Sequence, residues 1–219
     1  MLNKTNLAFP TLGSEFLGLY PIVNEYSQLK QLLPLGIKII QLRIKDKQGA
    51  ILEEQIQKSI RLASYYGTKL FINDYWALAI RYSAYGVHLG QSDLDTAPVD
   101  RLRNLGLRLG LSTHCHTELM RAYALKPSYI AYGPIFPTTS KVMSFSPQGI
   151  DKLKEVRKRV NCPLIAIGGI GLNQLPEILA CGVDGIAVIS AISQASEPVA
   201  AAYTLINKID QYAANKNRN

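Results

Sequence analysis

The sequence predicts a single-domain α/β fold, a (β/α)8 TIM barrel, from three observations. Short apolar or β-branched runs recur eight times along the chain. Stretches of helical periodicity separate them, and a repeating order of strand then helix implies a parallel sheet. No internal linker interrupts the repeat over 219 residues, a length at which such barrels fold as one unit. An open doubly wound sheet is the alternative. Its usual nucleotide signatures, GxGxxG and GxxxxGK[ST], do not follow the first run.

Residues 1–16 read as an N-terminal extension without the continuous apolar core of a signal peptide. The first strand is "LGLYPIV" from Leu17, and the second lies in "IKIIQLR" from Ile37. In the second, Gln41, Arg43 and Lys45 alternate with Leu42 and Ile44, so an amide and two cations share one face. That face meets either water or an anion. Leu52, Ile56, Ile60 and Ala63 follow at helical spacing, and "YYG", "AYG", "NLG" and "ACG" mark helix ends. "KLFIN" from Lys69 leads into Asn73-Asp74, "GVHL" from Gly86 into Gln91 and Asp93, and "LRLGLS" from Leu107 into Ser112.

"SYIAYG" from Ser128 is the sixth strand and opens the long loop "GPIFPTTSKVMSFSPQG". This loop carries Thr138, Thr139, Ser140 and Lys141 in succession and is long enough to act as a lid. "KLKEVRKRV" spaces Leu153, Val156 and Val160 as a buried helical stripe and leaves its charges to solvent. "PLIAIGG" from Pro163 ends in Gly168-Gly169, Leu172, Leu175, Ile178 and Leu179 form the next helical stripe, and "DGIAVIS" from Asp184 brings Ser190. The barrel is expected over residues 17–210, with a polar tail over 211–219.

Hydrophobic residues make up 47% and charged residues 18% of the chain, too apolar for disorder. No apolar stretch is long enough to span a bilayer, and the expected location is the cytoplasm. Cys115, Cys162 and Cys181 lack CxxC spacing and read as buried, reduced thiols. The net charge of +8 fits a nucleic-acid partner, a pocket for phosphorylated ligands, or merely a basic surface.

Barrel active sites lie at the carboxyl ends of the strands, where the polar residues above collect. Asp74 and Asp93 leave adjacent strands and could hold one hard cation, although helix capping or pairing with Arg43 or Lys45 would also explain them. The neighbouring cations favour a site for metal and pyrophosphate. Gly168-Gly169 and Ser190 end strands 7 and 8, where barrels commonly bind phosphate through backbone N–H groups; a tight turn that needs glycine is the plainer reading. "HCH" at 114–116 supplies only three ligands on adjacent side chains and reads poorly as a metal clip. Neither a Ser-His-Asp set nor a cysteine with a base is evident, so acyl transfer is disfavoured. Chemistry in which a diphosphate departs fits best, because it needs charge neutralisation more than proton transfer.

"QLRIK", "IND", "GVHLGQSD", "LGLS", "GPIFPTTSK", "AIGGI" and "VISAI" occur in the order and approximate spacing of the thiamine-phosphate synthase family, which the chain resembles over roughly residues 17–195. The resemblance implies a barrel enzyme that joins 4-amino-5-hydroxymethyl-2-methylpyrimidine diphosphate to a thiazole phosphate, releasing pyrophosphate, with Mg2+ as cofactor. It assigns the Gln41–Lys45 segment (Gln41, Leu42, Arg43, Ile44 and Lys45), Asn73, Ser112 and Lys141 to the pyrimidine diphosphate, with Arg43, Lys45, Lys141 and Ser112 as catalytic residues. Asp74 and Asp93 match the metal ligands, and Thr138, Thr139, Ser140, Gly169, Ile189 and Ser190 the thiazole phosphate site.

Two departures stand out. Tyr75 occupies a position where many members carry a second acid after "ND", and the family's Thr-x-Thr-Lys appears as Thr138-Thr139-Ser140-Lys141. The implied partners are small-molecule substrates, with no nucleic acid and no membrane, and a homo-oligomer is left open. A related thiazole tautomerase would share the barrel but would not need Arg43, Lys45, Asp74, Asp93 and Lys141 together. A nucleic-acid-binding protein is favoured only by the charge, since aromatic platforms interleaved with cations are not evident.

Overall fold

A computed structural model describes residues 7–13, 15–138 and 146–216. Eight parallel strands close into a barrel in the order β1-β2-β3-β4-β5-β6-β7-β8. The first half comprises β1 (Gly18–Val23), α1 (Tyr26–Leu32), β2 (Ile39–Leu42), α2 (Gly49–Tyr65), β3 (Lys69–Asn73), α3 (Trp76–Arg81), β4 (Gly86–Leu89), α4 (Gln91–Thr96) and α5 (Val99–Asn104). The second comprises β5 (Arg108–Thr113), α6 (His116–Ala124), β6 (Tyr129–Tyr132), α7 (Gly149–Arg159), β7 (Leu164–Ile167), α8 (Leu175–Ala180), β8 (Gly185–Val188), α9 (Ser190–Ser193) and α10 (Pro198–Lys216). The predicted barrel is therefore the observed fold. Seven of the eight apolar runs contain a whole strand, and the fifth contains all of β5 except Thr113.

Side chains alternate along each strand, and the register turns that alternation into layers. Tyr20 of β1 sits level with Ala187 of β8, Gln41 of β2 with Phe71 of β3, and Asn73 of β3 with His88 of β4. Leu12, Leu17, Tyr20, Ile22, Ile39, Phe71, Tyr129 and Ile165 fill the barrel. The intervening residues, such as Ile40, Leu42, Leu70, Ile72, Val87 and Leu109, form a separate aliphatic layer under the helices. The large rings fit only because small residues face them. A Cβ on Gly110 would lie 2.1 Å from the Tyr129 ring, and one on Gly86 would lie 2.5 Å from the Phe71 ring.

That packing corrects one expected helix end. Gly86 in "AYG" opens β4 and is there for the Phe71 ring, whereas α3 has already ended at Arg81, with Ser83 in the left-handed region after it. Gly67, Gly106 and Gly182 do take positive φ where "YYG", "NLG" and "ACG" predict helix ends. Leu172 is also misplaced by periodicity. It belongs to a 3₁₀ turn before α8 and is 46% exposed, while Leu175, Ile178 and Leu179 are buried as expected.

The basic run of α7 does not leave all its charges to solvent. Arg157 pairs with Asp184 at 2.6 Å, and Asp184 also accepts the Leu164 amide at 2.8 Å, so this pair fixes the entry to β7 and β8. Of the three free cysteines only Cys181 is buried; Cys115 and Cys162 are partly exposed. Burial nevertheless pushes the Cys162 thiol up to about 11, which keeps it protonated and unreactive. At the amino-terminal end, Leu12 enters the barrel core beside Leu17, and Glu15 pairs with Lys69 and Lys38. No helix among the described residues is long and apolar enough to cross a membrane.

Candidate active site

A cleft of about 440 Å³ opens at the carboxyl ends of the strands. It brings together Gln41, Arg43, Lys45, Asn73, Asp74, Asp93, Ser112, Thr138, Gly169, Ile189 and Ser190, residues that lie far apart in the chain. Thr139, Ser140 and Lys141 lie outside the described residues. Leu42 and Ile44 are each 1% exposed and pack in the aliphatic layer, so their side chains face away from the cleft. Only their backbone is available to a ligand there.

One wall is built from charged side chains. β2 ends at Leu42, and the Arg43 amide continues the ladder to the Val23 carbonyl at 2.7 Å before the chain turns out. Among the described residues the half-buried Arg43 side chain has no ion-pair or hydrogen-bond partner. Lys45 forms an ion pair with Asp74. The Tyr75 hydroxyl donates to the Ile44 carbonyl at 3.2 Å, which ties this loop to the turn after β3.

Asp74 follows β3 with φ of 61°, a left-handed conformation that Asp tolerates better than most residues. Its amide donates to the His88 carbonyl at 2.9 Å, and this bond holds the unusual turn. Asp93, from the first turn of α4, faces Asp74. Its carboxyl is held above the usual carboxylate range, first by burial and then by the Asp74 carboxylate; the Gly90 amide and Lys45 oppose the rise. A Cβ on Gly90 would lie 3.0 Å from the Asp93 carboxylate oxygen, so glycine clears that approach.

Two facing carboxylates, one of them paired with a lysine, suit a hard divalent cation that takes its other ligands from water and substrate. Among the described residues no group of three or more His, Cys, Asp or Glu side chains forms a complete protein cage. His114 of the "HCH" segment instead bonds Glu118 through Nδ1 at 2.8 Å.

The opposite wall is made of backbone. Gly168 and Gly169 have φ of 100° and 67°. A Cβ on Gly168 would lie 2.6 Å from Pro134, and one on Gly169 would lie 2.4 Å from the Pro137 carbonyl. Both are therefore glycine because the loop after β6 presses against them. That loop is pinned by the Ile135 amide to Ile167 and the Phe136 amide to Gly168, each at 3.0 Å. The Gly169 and Ile189 amides form no hydrogen bond among the described residues and line the cleft.

Beneath the cleft runs a polar chain that the sequence did not disclose as a unit. The Gln41 amide nitrogen lies 3.3 Å from the Tyr20 hydroxyl, which lies 2.7 Å from that of Tyr129. Tyr129 is 2.7 Å from His88 Nδ1, and His88 Nε2 is 2.8 Å from Ser112 Oγ. Ser112 lies inside β5 and not beyond its end, and Gln91 donates to its carbonyl at 2.8 Å. A polar His88 within the otherwise apolar "GVHL", at an inward position, was the available signal. Tyr20 and Tyr129 carry no such signal, because aromatic residues are common in strands.

The family model described as thiamine monophosphate synthase matches residues 19–192. A thiamine-phosphate synthase of Proteus mirabilis is 51% identical over 198 residues, 90% of this chain and 92% of that protein. One from Photorhabdus laumondii is 50% identical over 83% of this chain and 84% of its own length. Among solved structures, thiamine phosphate pyrophosphorylase from Pyrococcus furiosus superposes with a TM-score of 0.78 at 29% identity, over 90% of this chain and 97% of that one. A 3-hexulose-6-phosphate synthase at 15% identity and a TM-score of 0.61, over 87% of this chain and 99% of its own, shares the fold alone.

Proposed function

The chain belongs to the thiamine monophosphate synthase family and makes thiamine phosphate in thiamine biosynthesis; we propose that its cleft does so by a dissociative coupling of two phosphorylated substrates. The substrates are 4-amino-5-hydroxymethyl-2-methylpyrimidine diphosphate and a thiazole phosphate, and pyrophosphate leaves. The observation that carries this reading is the division of one cleft into a charged wall, with Arg43, Lys45, Asp74 and Asp93, and a backbone wall around Gly169 and Ile189.

The diphosphate belongs on the charged wall. Arg43 offers a planar donor fork without a partner among the described residues, and Lys45 a second cation beside Asp74. Asp74 and Asp93 would hold Mg2+, which when bound supplies positive charge to the diphosphate oxygens. Lys141, outside the described residues, has the same neutralising role by its place in the motif. As the methylene carbon–oxygen bond breaks, its electron pair leaves with the diphosphate, and Arg43, Lys45 and Lys141 stabilise the charge that develops. The electron-rich aminopyrimidine stabilises the methylene cation left behind.

The thiazole phosphate belongs on the opposite wall, with its phosphate against the Gly169 and Ile189 amides and Thr138 and Ser190 beside them. Thr139 and Ser140 extend that set by sequence. The thiazole nitrogen then attacks the cation with its own lone pair, forming the carbon–nitrogen bond. No proton has to be removed from that nitrogen, so the step requires no general base. We place the reaction in the cytoplasm. Incubation with both substrates, with and without Mg2+, is expected to yield thiamine phosphate and pyrophosphate only when the metal is present. Absence of product under every condition would refute the reading.

A further inference from the structure

The buried chain from Gln41 to Ser112 has a direction, and we infer that it fixes Ser112 as a hydrogen-bond donor to the pyrimidine diphosphate, with His88 and Tyr129 as positioning residues. The inference rests on the proposed placement of that substrate beside Ser112.

Direction enters at Gln41, whose amide nitrogen faces the two phenols and can only donate. The Tyr20 oxygen accepts that bond at 3.3 Å. The Tyr20 hydrogen therefore needs an acceptor, and the Tyr129 oxygen at 2.7 Å is the one within reach among the described residues. Tyr129, now accepting from Tyr20, turns its own hydrogen to His88 Nδ1 at 2.7 Å. A neutral imidazole that accepts at Nδ1 carries its proton on Nε2. Nε2–H then donates to Ser112 Oγ at 2.8 Å, and the Ser112 hydrogen is left to point into the cleft.

The reverse polarity fails at the far end. If Ser112 donated to His88 and His88 to Tyr129, Tyr129 would donate to Tyr20, whose own hydrogen would face, among the described residues, only the donor nitrogen of Gln41. Tyr20 is 1% exposed, so that hydrogen would be buried without an acceptor, a cost that well-formed interiors avoid. Burial also raises both phenols above their ordinary range, so neither becomes a phenolate able to accept from both sides.

The wild-type chain tests this without substrate. It has three histidines, and nitrogen-15 imidazole spectra can be assigned by replacing His114 and His116 in turn with Gln. The expected His88 signature is a protonated Nε2 and an unprotonated Nδ1. A protonated Nδ1 in the resting enzyme would overturn the inference. In Tyr129→Phe the Nδ1–H form should appear and kcat should fall about tenfold, while KM for the pyrimidine diphosphate stays within roughly twofold. A folded variant with unchanged tautomer and unchanged kcat would also overturn it, and if that variant does not fold, the wild-type tautomer alone decides. Failure of the wild type to form thiamine phosphate would count instead against the functional reading, since the tautomer is read without turnover.

Discussion

The two walls of the cleft offer an anion different kinds of partner. The wall from β2, β3 and β4 presents flexible ionised side chains, with Lys45 half-exposed and paired to Asp74. The wall from β7 and β8 presents main-chain amides beside glycines at which a side chain would force the backbone to shift, since a Cβ on Gly169 would lie 2.4 Å from the Pro137 carbonyl. The difference matches the tasks assigned to each. A leaving diphosphate gains charge during the reaction and is best met by full charges, whereas a phosphate that serves only as a handle keeps its charge and is best met by fixed dipoles.

The sharpest way to break the comparison is at Asp74. Asp74→Ala removes a proposed metal ligand and frees Lys45 from its partner, and should lower kcat/KM about a thousandfold. KM for the thiazole phosphate should hardly move. Initial rates of thiamine phosphate formation with each substrate varied in turn check this. Chelation of Mg2+ should abolish wild-type activity and leave the variant's residual rate unchanged; an equal rise in both KM values would show that the walls are not independent.

Gly169→Ala probes the other wall. The added Cβ meets backbone, not a movable side chain, and the φ of 67° is strained for alanine. KM for the thiazole phosphate should rise by about fivefold to 150-fold, the range expected for strain of about one to three kcal/mol. Affinity for inorganic pyrophosphate, measured by calorimetry, should stay unchanged.

The same contrast governs what could be read from the sequence. Charged residues at strand ends are conspicuous in an apolar chain, so Arg43, Lys45, Asp74 and Asp93 were visible once eight strand runs set the end of the barrel. Glycines are ambiguous, because a turn, a helix end and a close approach all favour them. Gly168-Gly169 fell where expected, but "AYG" was misread because the need for Gly86 comes from Phe71, on the neighbouring strand. Leu42 and Ile44 lie within the matched motif, yet the period-2 alternation turns their side chains outward. The Tyr20–Tyr129–His88 chain was illegible for the same reason as Gly86. Its members are 109 and 41 residues apart, and only the barrel register brings them together.

Salt offers a gentler separation of the two walls. Raising ionic strength from about 0.05 to about 0.5 M shortens the screening length to roughly 4 Å, which weakens exposed charges far more than buried dipoles. KM for the pyrimidine diphosphate should rise about fivefold, and KM for the thiazole phosphate less than about twofold. Matching rises would mean that both anions are held by exposed charge.

The smallest expected effect is at Tyr75, which directly follows the Asn73-Asp74 pair. Its hydroxyl donates to the Ile44 carbonyl at 3.2 Å, between the two cations of the charged wall. Tyr75→Phe keeps the ring packed against the aliphatic layer and removes only that bond. A partly buried hydrogen bond of this kind contributes about 0.5–1 kcal/mol, so KM for the pyrimidine diphosphate should rise two- to fivefold. The thiazole phosphate should be bound as before, because no hydrogen bond of Tyr75 reaches β7 or β8 among the described residues. If KM for the diphosphate does not change while thermal stability falls, Tyr75 braces the loop without setting where Arg43 and Lys45 point, and the charged wall owes its geometry to the Lys45–Asp74 pair alone.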